Sequence, residues 1–140
     1  MNIKGIAPVS ITHKPIRIID ADTDLGNFTL QVAGTIKEID HHFNFTITFV
    51  VSIEIYIHDK RISFEAESRY EVKLGERNVK FTSDNDFWDV ASLIQVSISH
   101  ARVLLMQELI THNIQLDLLR IDSLPDIYQK IKEGYFSLWN

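Results

Sequence analysis

Six histidines are the residues of this chain best suited to bind a metal ion or to transfer protons near neutral pH. His41 and His42 are adjacent, so on an extended backbone their side chains point to opposite sides. His100 and His112 lie twelve positions apart in a segment of helical periodicity, too far from each other to share one ion. This spacing favours solvated turn and helix-surface positions, and it predicts neither a metal site nor a general base.

Glu65 and Glu67 are two carboxylates at a spacing that some catalytic acid pairs use. On a strand they share one face and lie roughly 6–7 Å apart. Arg69, Glu71 and Lys73 continue the same face, which is typical of a solvated strand surface. The pair is therefore interpreted as surface charge and not as an acid and base.

The sequence also lacks the motifs that commonly carry catalysis. None of its five glycines belongs to a phosphate-binding loop, and there is no Gly-x-Ser-x-Gly elbow or His-Glu-x-x-His helix. Zero cysteines exclude disulfides, thiol nucleophiles and thiolate metal sites. We therefore predict a protein that is not an enzyme and that uses no cofactor, metal or nucleotide.

Charge and hydropathy restrict the partners and the location. A net charge of −5 and a pI near 5.6, with no local cluster of Lys and Arg, disfavour nucleic acid as a partner. No stretch approaches the roughly 20 apolar residues of a membrane span, and Met1–Val9 does not resemble a secretory signal. At 140 residues the chain is expected to form one cytoplasmic domain covering residues 1–140.

Period-two alternation dominates the first half of the chain. Apolar residues occupy every second position from Phe43 to Ile57 and again from Ile62 to Leu74, with the polar turn His58–Arg61 between the two runs. A third run begins at Phe28, and Ile3–Ile19, interrupted by two prolines, is expected to form a bent edge strand. We therefore predict four antiparallel strands within about residues 1–75, with a polar loop at Asp20–Asn27.

The second half is predicted to be helical. A loop at about 76–88 leads into a long helix at about 89–113, capped by Asp86 or Asp89 and stopped by Asn113. An extended piece, Ile114–Ile121, precedes a short helix at about 123–134 that opens with Ser123 and Pro125. The predicted class is α+β, a four-stranded antiparallel sheet backed by one long and one short helix.

The long helix has more apolar surface than one sheet can cover. Its main stripe consists of Ile94, Ile98, Ala101, Leu105 and Leu109. Further apolar residues at Leu93, Val96, Val103, Met106 and Ile110 widen this surface. The excess predicts self-association through the helix, and the main stripe is assigned to that interface.

Several local strings resemble the SecB family of protein-export chaperones, over about Met1–Ile131. The helix string Ser99-His100-Ala101-Arg102-Val103 and the exit string Gln115-Leu116-Asp117-Leu118 are similar to the family's long helix and to the segment that follows it. Phe64-Glu65-Ala66-Glu67 resembles the family's fourth strand. The resemblance implies a dimer of dimers formed through the long helices, and an ATP-independent holdase that binds unfolded precursor polypeptides.

The resemblance also implies roles for individual residues. Phe28, Leu30 and Val32 correspond to the lining of the client groove, with ordinary core packing as the alternative. Glu65 and Glu67 correspond to part of the acidic surface that engages the translocase motor SecA. In the first strand, however, His13, Lys14 and Arg17 stand where the family carries acidic residues.

Three other functions are consistent with the sequence. Basic substitution of the motor-binding face suits a dedicated chaperone for one client, such as an antitoxin. The same fold also suits an interaction protein without chaperone activity that binds one folded partner. It also suits a small-molecule carrier or an enzyme in which the sheet and the long helix enclose a cavity, with Tyr70 or His100 inside. An enclosed pocket with converging polar groups would favour this last function, and an open groove would favour the chaperone.

Overall fold

A computed structural model describes residues 1–21, 28–118 and 122–140. The predicted loop Asp20–Asn27 lies outside the described residues from position 22 onward, as does the end of the predicted segment Ile114–Ile121. The elements, in chain order, are β1 (Ile3–His13), β2 (Arg17–Asp20), β3 (Phe28–Glu38), β4 (Asn44–Ile57), β5 (Lys60–Leu74), α1 (Asp84–Thr111) and α2 (Leu124–Lys132).

All described strands belong to one antiparallel sheet in the order β1-β5-β4-β3. Strand β2 also pairs with β5, so β1 and β2 follow one edge and together form the predicted bent strand. The bend falls at residues 14–16, where Pro15 cannot donate to a ladder. The predicted α+β class is thus confirmed. The sheet has five strands instead of four, because β1 and β2 occupy the same edge position beside β5.

The β4–β5 hairpin is closed by His58 and Asp59, which both have positive φ (50° and 58°). Two such residues between paired strands match the twist of an antiparallel ribbon. Along β4 and β5 the odd positions of one strand and the even positions of the other are buried, from Phe45 to Ile55 and from Ile62 to Leu74. One sheet face is therefore covered by the helices and the other is open.

Helix α1 begins earlier than predicted, at Asp84 instead of about residue 89. Its N-cap is Ser83, whose side chain accepts from the Asp86 N–H while the Asp86 carboxylate accepts from the Ser83 N–H. This reciprocal pair is a capping box, so Asp86 lies inside the helix and neither it nor Asp89 is the cap. The predicted stop at Asn113 is confirmed: its φ is 59°, and the Ile114 N–H donates to the Leu109 carbonyl.

Asp86 is also the centre of a buried polar cluster at the start of the chain. Its carboxylate accepts hydrogen bonds from the N–H groups of Asn2 and Thr82 and lies 3.4 Å from the Met1 amino group. Burial by itself would raise the pKa of this carboxyl, but these donors and the positive charge lower it to about 2. Asp86 therefore holds the first residues of the chain against the start of α1.

The main stripe of α1 faces the sheet and forms the core of the domain. Ile94, Ile98, Ala101, Leu105 and Leu109 are each at most 2% exposed. Beside them, the Tyr70 hydroxyl hydrogen-bonds the Ser97 hydroxyl at 3.0 Å. Buried side chains cannot contact a second chain, so the assignment of these five residues to an oligomer interface is wrong. Core and interface stripes have the same spacing in a sequence, and only the position of the sheet separates them.

Helix α2 begins after the N-cap Ser123 and is followed by Gly134, whose φ of 76° reverses the chain. The C-terminal segment then runs along the outer edge of β3, where Ser137 forms a parallel bridge with Ala33. Gly34 permits this approach, since a Cβ there would lie 2.8 Å from a side-chain carbon of Leu138. The Trp139 ring NH donates to the Val79 carbonyl, so the apolar tail is docked against the loop before α1.

Candidate functional site

A groove of about 540 Å³ lies between the edge strand β3 and the two helices. Its lining combines apolar, aromatic and charged side chains: Phe28, Leu30, Ile98, Arg102, Asp122, Asp126, Ile127, Gln129, Lys130, Glu133, Tyr135 and Phe136. Strand β3 supplies one wall, α2 the opposite wall and α1 the base. Phe28 and Tyr135 in this lining are exposed to solvent, so the groove is a surface site and not an enclosed cavity.

The structure divides the three residues that were predicted to bind a client. Phe28, 43% exposed, and Leu30, partly buried, both line the groove. Val32 is 2% exposed and packs in the core, so the alternative assignment applies to it. Period two places all three on one face of β3, but only the first two extend beyond the cover of α1 and α2.

Arg102 is the charged group at the base of the groove, and it is 7% exposed. Its guanidinium donates to the Asp122 carboxylate at 3.2 Å and lies 5.0 Å from the ring centroid of Phe28. Its Nε is buried without a hydrogen-bond partner among the described residues. This arrangement stacks the guanidinium over the face of the Phe28 ring and places an incompletely satisfied donor group beneath the groove.

Sequence reasoning did not find this role for Arg102. The residue is part of the helix string that resembles SecB, but its partners lie 20 residues after it and in the first half of the chain. Long sequence separation gives no local pattern. The one available signal was an arginine next to a predicted apolar stripe, which requires a buried partner.

The rim of the groove is contributed by α2 and the residues that follow it. Asp126, Lys130 and Glu133 give it mixed charge, and the Gln129 side-chain amide donates to Glu133 at 2.9 Å. Tyr135, 71% exposed, stands at the end nearest the C-terminal segment. Apolar side chains beside a polar, charged rim are the usual composition of a protein-binding surface.

Glu65 and Glu67 lie on the open face of the sheet, away from the apolar groove. Each is paired with a cation: Lys14 Nζ lies 3.1 Å from Glu65, and Arg69 donates to Glu67 at 3.1 Å. Lys14 and Arg17, together with Glu65, line a polar depression of about 390 Å³ on this face. The face therefore carries alternating charges and is not an acidic surface.

His13 is separated from its basic neighbours by the pairing of β1 with β5. It is paired with Ala66, whose side chain is buried beneath the helices, and its ring packs against Phe64 at 5.5 Å. Its Nδ1 lies 3.6 Å from the Glu108 carboxylate of α1. Of the three basic substitutions in the first strand, only Lys14 and Arg17 thus belong to the open face.

Tyr70 and His100 line neither the groove beside β3 nor the polar depression on the open face. Tyr70 is buried beside Ser97, and His100 is exposed on the outer side of α1. Within the described residues, no three His, Asp or Glu side chains converge on a point where a metal ion could bind. Among the helices of that same part of the chain, none has both the length and the hydropathy of a membrane span.

The fold and the groove together define a class of protein: an α+β domain with two helices on one sheet face and an open apolar groove beside an edge strand. A SecB-like chaperone from Mycobacterium tuberculosis, solved with a peptide from an antitoxin, matches it with a TM-score of 0.54. The identity is 11%, over 84% of this chain and 88% of that chain. The chain therefore has a SecB-like fold.

A second solved structure, a protein of unknown function from Streptococcus agalactiae, matches with a TM-score of 0.49 and 10% identity, over 84% of this chain and 99% of that one. Neither a family model nor a curated protein matches the sequence.

Proposed function

We propose that this protein is an ATP-independent holdase that binds unfolded segments of other polypeptides in the groove between β3 and α2. The observation that carries this proposal is the pair of exposed Phe28 and partly buried Leu30 over a base closed by Ile98 and Arg102. Burying apolar surface contributes about 25 cal/mol per Å². The groove can therefore hold an apolar client residue without any catalytic group. The SecB-like fold supports the same function.

The charged pairs on the open face of the sheet favour a chaperone for one dedicated client over a general export chaperone. Docking to SecA through Glu65 and Glu67 requires an acidic surface, but Lys14 and Arg69 neutralise both carboxylates. In the solved M. tuberculosis neighbour the bound ligand is a peptide from a single antitoxin. We infer a restricted client range, in which one polypeptide supplies the apolar segment that the groove takes.

Self-association is part of the same proposal, through a different face of α1 from the one predicted. Val96, Val103 and Ile110 follow one another at intervals of seven residues and are 42%, 39% and 59% exposed. Ser99 lies between Val96 and Val103, and Ser92 lies about one turn before Val96. These five residues form the outer stripe (Ser92, Val96, Ser99, Val103, Ile110), and none of them is charged. Heptad spacing with small residues suits close packing of two helices. Two or more copies would present several grooves to one client, which raises the overall affinity.

The groove is tested by measuring the binding of a fluorescently labelled, reduced and carboxymethylated α-lactalbumin, which cannot fold. We expect Phe28→Ser to weaken binding about tenfold, since truncating one central aromatic anchor typically costs 1 kcal/mol or more. Ile39→Ser is the matched control, because Ile39 is as accessible as Phe28 (51% against 43% exposed) but lies in the β3–β4 turn. Equal binding by wild type and Phe28→Ser, or a need for ATP, would contradict the proposal.

A further inference from the structure

The outer edge of β3 has backbone groups whose direction is fixed by the C-terminal segment. The Gly34 N–H donates to the Ser137 carbonyl at 2.8 Å, and the Ser137 N–H donates to the Val32 carbonyl at 3.0 Å. The N–H and C=O of one residue point to the same side of a strand, and successive residues alternate. The pairing of β3 with β4 is regular from Phe28 to Glu38, so the even-numbered residues of β3 all point outward. In agreement, the odd-numbered Ile39 donates to Asn44 on the β4 side.

Two of these outward residues, Phe28 and Leu30, have no backbone partner among the described residues. The C-terminal segment does not reach them, because the Tyr135 N–H instead donates to the Lys130 carbonyl and closes the end of α2. Among the described residues, pairing along this edge therefore stops at Val32. Within that part of the chain, the stretch of β3 before Val32 presents unpaired donors and acceptors at strand spacing, which is a template for another strand.

The same two residues point their side chains into the groove, whereas Thr29 and Gln31 point to the open sheet face. A strand laid against this stretch of β3 would therefore place alternate side chains over the apolar groove and over polar surface. The edge and the groove are thus two parts of one surface. Its shape fits an extended segment and excludes a helix, because a helix cannot pair with the backbone of β3.

We propose that the client binds as an added strand on the edge of β3 at Phe28 and Leu30, in line with the C-terminal segment at Ser137. Its occupant is an extended polypeptide segment with large apolar residues at every second position and polar residues between them. Main-chain hydrogen bonds supply affinity that does not depend on sequence, and the groove selects the apolar side chains. This inference rests on the proposed function and specifies how the client is held.

Amide hydrogen exchange at residue resolution tests the binding mode in the intact wild-type protein. The probe is unlabelled reduced and carboxymethylated α-lactalbumin added to the isotope-labelled chain. We expect exchange at the Phe28 and Leu30 amides to slow about tenfold or more, since each becomes a donor in a ladder. Thr29 and Gln31 already donate to β4 and are the internal controls, with no change expected.

The possible failures of this experiment are distinguishable. Binding of the probe with no protection of Phe28 and Leu30 would overturn strand addition and leave the groove function standing. No binding of the probe at all would overturn both.

A pair of substitutions separates the backbone contribution from the side chain. Leu30→Ala removes groove surface only, whereas Leu30→Pro also removes the outward N–H and leaves the β4 ladder intact. We expect Leu30→Pro to bind the probe about tenfold more weakly than Leu30→Ala, consistent with the loss of one hydrogen bond and of the strand edge. The matched pair is Ile36→Ala and Ile36→Pro, because Ile36 also points outward but lies beyond Ser137. Equal affinities of the two Leu30 variants, with both folded, would overturn the inference.

Discussion

The two faces of the sheet are stabilised in different ways, although the same strands build both. The covered face packs Phe45 to Ile55 of β4 and Ile62 to Leu74 of β5 against α1, almost without charge. On the open face, Glu65 and Glu67 are held by Lys14 and Arg69 in solvent. Burial supplies most of the folding energy, and exposed pairs supply little. This difference means that the charges of the open face can change to select a partner without loss of the fold, since they contribute little to stability.

The largest effect is expected in the core of the covered face. Leu105→Ala should lower the free energy of unfolding by about 3 kcal/mol, because Leu105 is fully buried and its removal leaves a cavity. Denaturant unfolding measures this. Val103→Ala, on the outer side of the same helix, is the control and should cost less than about 1 kcal/mol. Similar losses at both positions would mean that α1 does not lie against the sheet as described.

The buried carboxylate of Asp86 should give the second largest effect, and its sign follows from its pKa. The pKa is lowered from 3.8 to about 2 in the folded protein, so its ionised form stabilises the fold above pH 4. This contribution of about 2 kcal/mol should be lost as the pH falls from 4 to 2. Denaturant unfolding across that range should show the loss in wild type. Asp86→Asn should be less stable at pH 7 and should lack this part of the pH dependence.

The outer stripe of α1 should affect association more than folding. Val103→Asp places a charge in the centre of this stripe and should weaken self-association about tenfold or more, because an unpaired charge would be buried between helices. Light scattering over a range of concentrations reports the mass. Thr35→Asp adds the same charge to an exposed position of β3 on the open sheet face, away from α1, and should leave the mass unchanged. A monomeric wild type would remove the proposed self-association.

The smallest effect is expected on the open face. Glu65→Gln should change the free energy of unfolding by less than about 1 kcal/mol, since its pair with Lys14 is exposed to solvent and screened by salt. Thermal unfolding at low and high salt is the measurement, with Ser63→Ala on the same strand face as the control. A loss comparable to that of Leu105→Ala would show that the two faces are not divided as described.

Local periodicity was sufficient to predict most of the architecture. Alternation gave β3, β4 and β5, and the polar break at His58–Arg61 gave the hairpin, because strand and turn signals lie within a few residues of each other. Ser123, Pro125 and Gly134 mark the ends of α2 for the same reason. The start of α1 was misjudged by about five residues, since Ser83, Asp86 and Asp89 are all residue types that cap helices and the sequence did not choose among them.

The lining of the groove was predicted only in part. Phe28 and Leu30 were named, but Val32 was not separated from them, because all three share one strand face. The contacts of Arg102 with Asp122 and Phe28, and the pairing of Ser137 with β3, join residues that are far apart in the chain. Such contacts leave no periodic signal in a single sequence.

The sequence by itself determined that this chain folds as antiparallel strands followed by two helices, and that its long helix has more apolar surface than one sheet can cover. Only the tertiary structure decided which part of that surface is core and which part is exposed. The physical reason is that hydrophobic burial is non-directional: Leu105 and Val103 both favour removal from water, whatever covers them. The position of the sheet covers Leu105 and leaves Val103 exposed.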